Sequence, residues 1–405
     1  MSTFPQKIER PLQLEAAAIA LLLTATLKIM ANATISPALP ALAASFPDDP
    51  NAAYLTRFLV AAPSLSVVLI APLAGIAADR FGRAPLLLVG VLLFAVSGSA
   101  GSYLPNLPTI LASRLLLGVA VAFTMTAQVA LVGDLLEGNR LSGFLGLQTA
   151  AINFCGFLFI VMAGWLAGLS PRLPFLLYAL PVLLVPLLWP FLRKDRHRQA
   201  RDGAGQAERH DLAGPGWLVP TLLVAVLTMA TVMLFFLMPS QLPFYLEASG
   251  LDGASGTAIG LGALTLTGGC VAVTFRRISV CLGLAATLGL GFALMAAGFA
   301  SLAVEASWSF ILAGTAMVGA GYALVQPALL MLALHVAPEQ RRGSVSGMVT
   351  TAMFSGQVVS PLALTLFIED MGFASAFLTA ALVFFCAGIG FGVAATRPVK
   401  PGLKE

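Results

Sequence analysis

The sequence predicts an all-α polytopic membrane protein, with twelve transmembrane helices in two six-helix pseudo-repeats and a site at their interface. Three observations predict it. The 405 residues are 59% hydrophobic and 10% charged, with mean hydropathy +0.93, whereas soluble domains carry roughly 25% charged residues. Apolar residues gather into runs of about 20 or more, the length that crosses a bilayer. Residues also match across the chain at an offset of 201 positions. A soluble fold would leave most of these side chains in water and is excluded. The pI near 9.0 does not indicate nucleic acid, because the basic residues sort by membrane side.

The runs fall at 13–37, 55–78, 84–104, 108–133, 142–168, 173–192, 217–240, 256–275, 279–301, 308–334, 344–368 and 373–395. The first ends in "LPALAAS", like a signal-peptidase site, but its apolar stretch exceeds the roughly 7–15 residues of a signal core and reads as a retained span. The second ends in a short charged loop at residues 75–83, and the fourth and fifth flank Asp134 and Arg140. The polar stretch 193–216 is charged on both signs, lacks apolar periodicity, and reads as a solvated linker. The expected divisions are therefore 1–192 (first six-helix half), 193–216 (cytoplasmic linker) and 217–405 (second half). The 25 prolines and 39 glycines suit helices that bend and approach closely.

Orientation follows from Lys and Arg. Arg80, Arg83, Arg140, the linker run, Arg276, Arg277, Arg341 and Arg342 fall in even-numbered loops, with further basic residues at both termini. Near the other side stand only Arg57 and Arg172, among Asp48, Asp49, Glu247, Asp252, Glu305, Glu369 and Asp370. Both termini are expected in the cytoplasm. The compact loops point to a multi-pass protein of the bacterial inner membrane.

At the 201-residue offset Arg140 meets Arg341, Gly146 meets Gly347 and Gly118 meets Gly319, with "SPALPALAAS" a looser counterpart of "PSQLPFYLEAS". Two related halves imply a transporter with its site between them. Cys155, Cys270, Cys281 and Cys386 lie in apolar runs without C-x-x-C spacing, so disulfides and zinc are not expected. No Walker loop is present, and no cofactor is expected.

The loop Gly75-Ile-Ala-Ala-Asp79-Arg80-Phe-Gly82-Arg83 resembles the G-x-x-x-D-R-x-G-R signature of the major facilitator superfamily. The twelve-span layout extends the resemblance over nearly the whole chain, toward the drug and metabolite:proton antiporter-like branch. The glycines allow helix approach at Gly75 and a tight turn at Gly82, while Asp79 can accept hydrogen bonds from Arg83 or a helix end. The resemblance implies a conformational latch formed by Gly75, Asp79, Arg80, Gly82 and Arg83, which Asp134 could join. Alternatively these charges only fix topology.

In span 4, Arg114 and Gly118 resemble the family's R-x-x-x-G motif, associated there with proton coupling or substrate binding. A buried guanidinium wants an anion or several acceptors; the alternative is an arginine snorkelling outward. Span 5 departs from the antiporter pattern, because Phe159–Gly164 lacks the Gly-Pro pair. No Asp or Glu lies in mid-span, and the mid-membrane charges are Lys28 and Arg114. Since spans 1, 4, 7 and 10 line the cavity in this family, the resemblance implies that both cations face it.

Thr24, Lys28 and Asn32 share a helical face. Gln128, Gln241 at the end of span 7, Tyr322 and Gln326 are candidate ligands or, alternatively, helix–helix contacts. Met229, Met233 and Met238 read as packing or as a soft-metal contact, and His335 as interfacial. The expected function is secondary transport of a small organic solute, as proton-linked efflux, with a cationic site favouring anionic, zwitterionic or neutral polar solutes. Multidrug antiport of lipophilic compounds, facilitative uptake and a non-transporting sensor remain alternatives. Scattered histidines at 197, 210 and 335 do not form an enzyme site. The expected partners are the solute, protons and the bilayer, with the chain acting as a monomer.

Overall fold

The computed structural model describes residues 11–135, 138–189, 217–304, 306–336, 338 and 342–396. The expected linker 193–216 therefore lies outside the described residues. Ten helices among those described are long and apolar enough to cross a membrane. Span 1 is Ala18–Ala44, span 2 Ala52–Ala78, span 3 Arg83–Ser102, span 4 Leu107–Val132 and span 5 Leu147–Leu169. Span 7 is Leu218–Ala248, span 8 Gly253–Leu282, span 9 Leu284–Val304 and span 10 Trp308–Val336. The remaining one, Val345–Ala395, is divided at Gly372 (φ 80°) into spans 11 and 12, and the shorter apolar helix Leu173–Trp189 stands at span 6. The layout accords with twelve segments.

Several boundaries differ from the sequence reading for backbone reasons. Span 1 continues through "PALP" to Ala44 instead of ending near residue 37. It does so in pieces: helix Leu27–Ala33, a 3-10 turn at Ser36–Ala38, then helix Leu39–Ala44. Pro37 has no N–H to give the carbonyl of Ala33, so the regular helix stops there. Span 7 repeats the device, its first helix ending at Phe235, four residues before Pro239. Gln241, expected at the end of this span, is consequently inside its second helix, Leu237–Ala248. Most of span 6 is 3-10 helix, Leu173–Leu184, with prolines at 174 and 181.

The 201-residue repeat holds in the backbone of several elements. Helix Ala52–Phe81 corresponds to Gly253–Leu282, and helix Leu107–Leu135 to Trp308–Val336. The first pair ends in turns at glycines of positive φ, Gly82 (93°) and Gly283 (80°). Their N–H groups bond Ala78 and Ser279 respectively, each at 3.0 Å. A side chain at either would be strained, so the tight turn expected at Gly82 recurs where sequence comparison had not marked it. Asp252, just before span 8, accepts from Ala254 N and Ser255 N and from Ser255 Oγ, which holds its carboxyl below the usual carboxylate range.

Packing follows the same repeat. A Cβ at Gly118 would lie well inside contact with the Pro63 carbonyl of span 2; at Gly319 it would strike the Leu264 carbonyl of span 8. Small residues let backbones come this close. Gly75 is different. Among the described residues a Cβ there would meet nothing within 4 Å, so none of them makes the helix approach expected at that position. The buried side chains form two clusters, one drawn mainly from residues 20–188 and one mainly from 224–384. Phe235, Tyr322 and Phe373 pack against both and mark the seam between them.

Gly118→Ala and Gly319→Ala should each cost about 1–3 kcal/mol by overpacking, lowering the thermal midpoint of purified protein. Gly75→Ala should leave it unchanged or raise it, worth roughly 0.5–1 kcal/mol for a helix interior.

Candidate functional site

Lys28 sits just past a break in span 1. The helix Pro11–Ala25 ends there, Thr26 closes a short turn with its N–H on Leu23 O, and Thr24 and Thr26 bond their hydroxyls back to Ala20 and Leu23. Thr24 is thus engaged with its own backbone. Lys28 instead reaches across to span 11, where the two six-helix repeats meet. Its Nζ lies 4.0 Å from Met353 Sδ and 5.6 Å from the centre of the Phe354 ring, both on span 11. Among the described residues no carboxylate comes within ion-pair distance of it. A thioether and a ring face are weak partners for an ammonium.

One turn along, Asn32 Nδ2 donates to Gln357 Oε1 at 3.0 Å, and Ser64 of span 2 donates to the same oxygen. Lys28 with Met353 and Asn32 with Gln357 form two rungs, each stepping four residues on both helices. Spans 1 and 11 therefore run in the same direction here. Gln326 of span 10 joins the first rung, its Nε2 being 2.9 Å from Met353 Sδ. Its Oε1 is buried with no partner among the described residues. Tyr322, one turn before Gln326, stacks on Phe235 of span 7 with centroids 3.8 Å apart and planes 12° apart.

Arg114 lies elsewhere. It is 0% exposed and walled between Phe175 and Tyr178 of span 6, whose ring centres are 4.9 and 4.3 Å from its guanidinium carbon. Its three nitrogens have no hydrogen-bond partner among the described residues. This burial differs from the expectation of an arginine snorkelling outward, and no described contact joins Arg114 to Lys28. Gln128 donates to Gln148 of span 5 at 3.2 Å, and Gln241, fully buried, donates to Thr365 of span 11 at 2.8 Å. Both serve as helix–helix contacts, and neither touches the Lys28 rungs.

At the end of the bundle carrying the acidic loops, Arg57 of span 2 pairs with Glu369 at 3.4 Å and covers the Phe244 ring of span 7 at 4.5 Å. At the opposite end, Arg83 Nη1 donates to the Ala130 carbonyl of span 4 at 3.4 Å, tying the turn after Gly82 to that helix. Arg80 is exposed and lies over Phe81. Asp79 and Asp134 stand in described helices, but their side chains lie outside the described residues.

The profile of the Major Facilitator Superfamily matches residues 21–361 and 275–405. The chain belongs to the major facilitator superfamily. Within it, the chain is 24% identical over 314 residues to "Multidrug resistance protein 1" of Bacillus subtilis, covering 75% of this chain and 78% of that protein. It is 33% identical over 139 residues to "Multidrug resistance protein 2" of the same organism, 34% of each chain. It is 27% identical over 174 residues to "Quinolone resistance protein NorA" of Staphylococcus aureus, 42% of this chain and 45% of that one. The chain thus spans a third to under a half of two of these relatives. Superfamily structures share the fold. The inward-open xylose transporter XylE from E. coli has TM-score 0.75 at 15% identity, over 96% of this chain and 97% of that one. A POT family transporter in complex with 5-aminolevulinic acid has TM-score 0.75 at 12% identity, over 97% and 99%.

Met353, Phe354 and Gln357 are neighbours of Lys28 and Asn32 that sequence reasoning missed, because span 11 is outside the set of spans that the family resemblance assigns to the cavity. The spacing of Met353 and Gln357, matching that of Lys28 and Asn32, was the available signal. Gln357→Leu should strand two donors, costing about 1–3 kcal/mol. Glu369→Gln, at a half-exposed ion pair, should cost about 1 kcal/mol or less. Thermal unfolding of the two variants in detergent checks the order.

Proposed function

We propose that this superfamily member moves a small organic solute across the bacterial inner membrane by alternating access, as proton-linked efflux. Its binding site is the seam at Lys28, Asn32, Tyr322 and Gln326, extended to Ser64, Met353, Phe354 and Gln357. The observation that carries the reading is the Lys28 ammonium, placed where span 1 of the first repeat meets span 11 of the second, with no carboxylate partner among the described residues. At an effective dielectric of about 20, a charge pair at about 4 Å is worth roughly 4 kcal/mol. One unpaired cation therefore decides the sign of the ligand, toward anionic, zwitterionic or neutral polar solutes. An amine that gains its proton as an anion docks, and gives it up as the anion leaves, links the two fluxes in the same direction without a carboxylate, so outward movement through it runs down the solute's own gradient.

The two halves, 1–192 and 217–405, rock about this seam. With both termini in the cytoplasm, the Arg57–Glu369 pair and Phe244 close the outer side, and Gly75, Asp79, Arg80, Gly82, Arg83 and Asp134 form the inner latch. The names of the relatives, multidrug and quinolone resistance proteins, support efflux. They also favour a second reading, multidrug antiport of lipophilic compounds. The cationic seam weighs against cationic drugs.

In vesicles holding purified protein and an internal pH dye, organic acids or amino acids should drive proton flux, and Lys28→Gln should reduce it about tenfold or more, a loss above about 1.4 kcal/mol. Ethidium carried at the same rate by wild type and Lys28→Gln, with no acid-driven flux, would overturn the reading in favour of multidrug antiport.

A further inference from the structure

We propose that the seam takes a flat, singly charged organic anion: a one-ring aromatic monocarboxylate, its carboxylate on Lys28 and its ring on the Phe235–Tyr322 stack. This rests on the seam being the transport site. The charge count comes first. Lys28 is the cation of the seam, and no described carboxylate opposes it. One carboxylate neutralises it, a dianion leaves net charge in a poorly solvated place, and an ammonium ligand adds a like charge beside it.

The walls then select the body of the ligand. Beside Lys28 Nζ stand a thioether and a ring, Met353 and Phe354, at 4.0 and 5.6 Å. Met353 Sδ connects Lys28 to Gln326, and Tyr322 lies one turn, about 5.4 Å, along the same helix. Tyr322 and Phe235 are partly exposed, mutually stacked, and packed against both clusters. A flat apolar body can extend that stack, and sulfur and aromatic rings make favourable contacts with it.

A third feature refines the chemistry. Gln326 commits its amide nitrogen to Met353, leaving a buried oxygen with no donor among the described residues. Gln326 is one turn from Tyr322 and shares Met353 with Lys28, so a hydroxyl or amino group on the ring could satisfy that oxygen. A hydroxybenzoate fits better than benzoate for this reason.

The test is thermal stabilisation of the purified full chain by benzoate, 4-hydroxybenzoate, hexanoate, phthalate and benzylamine. Benzoate and 4-hydroxybenzoate should stabilise, the second with about tenfold lower apparent Kd. Hexanoate and phthalate should be weaker, and benzylamine without effect. Lys28→Gln should abolish the stabilisation, Lys28→Arg should keep part of it, and Gln326→Leu should erase the advantage of the hydroxyl. The midpoints of the variants without ligand show that they fold. Equal stabilisation by benzylamine, no stabilisation by either aromatic acid, or unchanged stabilisation in Lys28→Gln would each overturn the ligand class. If the acids bind through Lys28 yet are not carried across vesicles, the ligand class stands and the transport reading falls.

Discussion

A positive charge at membrane depth with nothing negative beside it is the constraint on which the site depends. Lys28 reaches from span 1 to Met353 and Phe354 of span 11, which are buried in the same core cluster as its own neighbours Leu27 and Met30. Desolvating an ammonium costs several kcal/mol, and a thioether returns little of it. Such a residue persists where something it meets in function returns the remainder. The second rung, Asn32 and Ser64 sharing Gln357, is fully neutral and closes the same two helices. One rung is strong and uncharged, and its neighbour is weak and charged. A contact of that kind can separate when a ligand offers the ammonium a better partner.

The scaffold that holds this seam is built twice. Identical helix lengths and positive-φ turns at Gly82 and Gly283 recur at an offset of 201 residues. So do the backbone approaches of Gly118 to Pro63 and Gly319 to Leu264. These are rigid contacts, since a close backbone pair has little room to slide. The pieces of span 1 and span 7, each interrupted four residues before a proline, supply the irregular backbone at the seam. Arg114 belongs to the scaffold by its packing, clamped between Phe175 and Tyr178.

Much of this was legible in the sequence. Apolar runs mark the spans, because the bilayer imposes one length on all of them. The repeat was visible in a few glycines such as Gly118 and Gly319, because only glycine permits those backbone approaches. Lys28 stood out because a charge in an apolar run is rare. What remained illegible depends on which faces meet. Gln128, Gln241 and Gln326 look alike in sequence, yet the first two find Gln148 and Thr365 away from the Lys28 rungs while the third meets Met353 beside Lys28. Arg114 looked equivalent to Lys28, and two rings of a 3-10 segment, each ordinary alone, set them apart. Prolines extended span 1 and span 7 by breaking them, an outcome that hydropathy does not encode.

The central claim is that residue 28 faces a seam that opens to water during transport, and it can be measured without knowing the solute. Lys28→Cys, in a background with Cys155, Cys270, Cys281 and Cys386 replaced by Ser, is treated in vesicles with a charged, membrane-impermeant thiol reagent. The account predicts that the introduced thiol reacts from the aqueous phase. Labelling only by a lipid-soluble maleimide, with none by the charged reagent from either side, would contradict it.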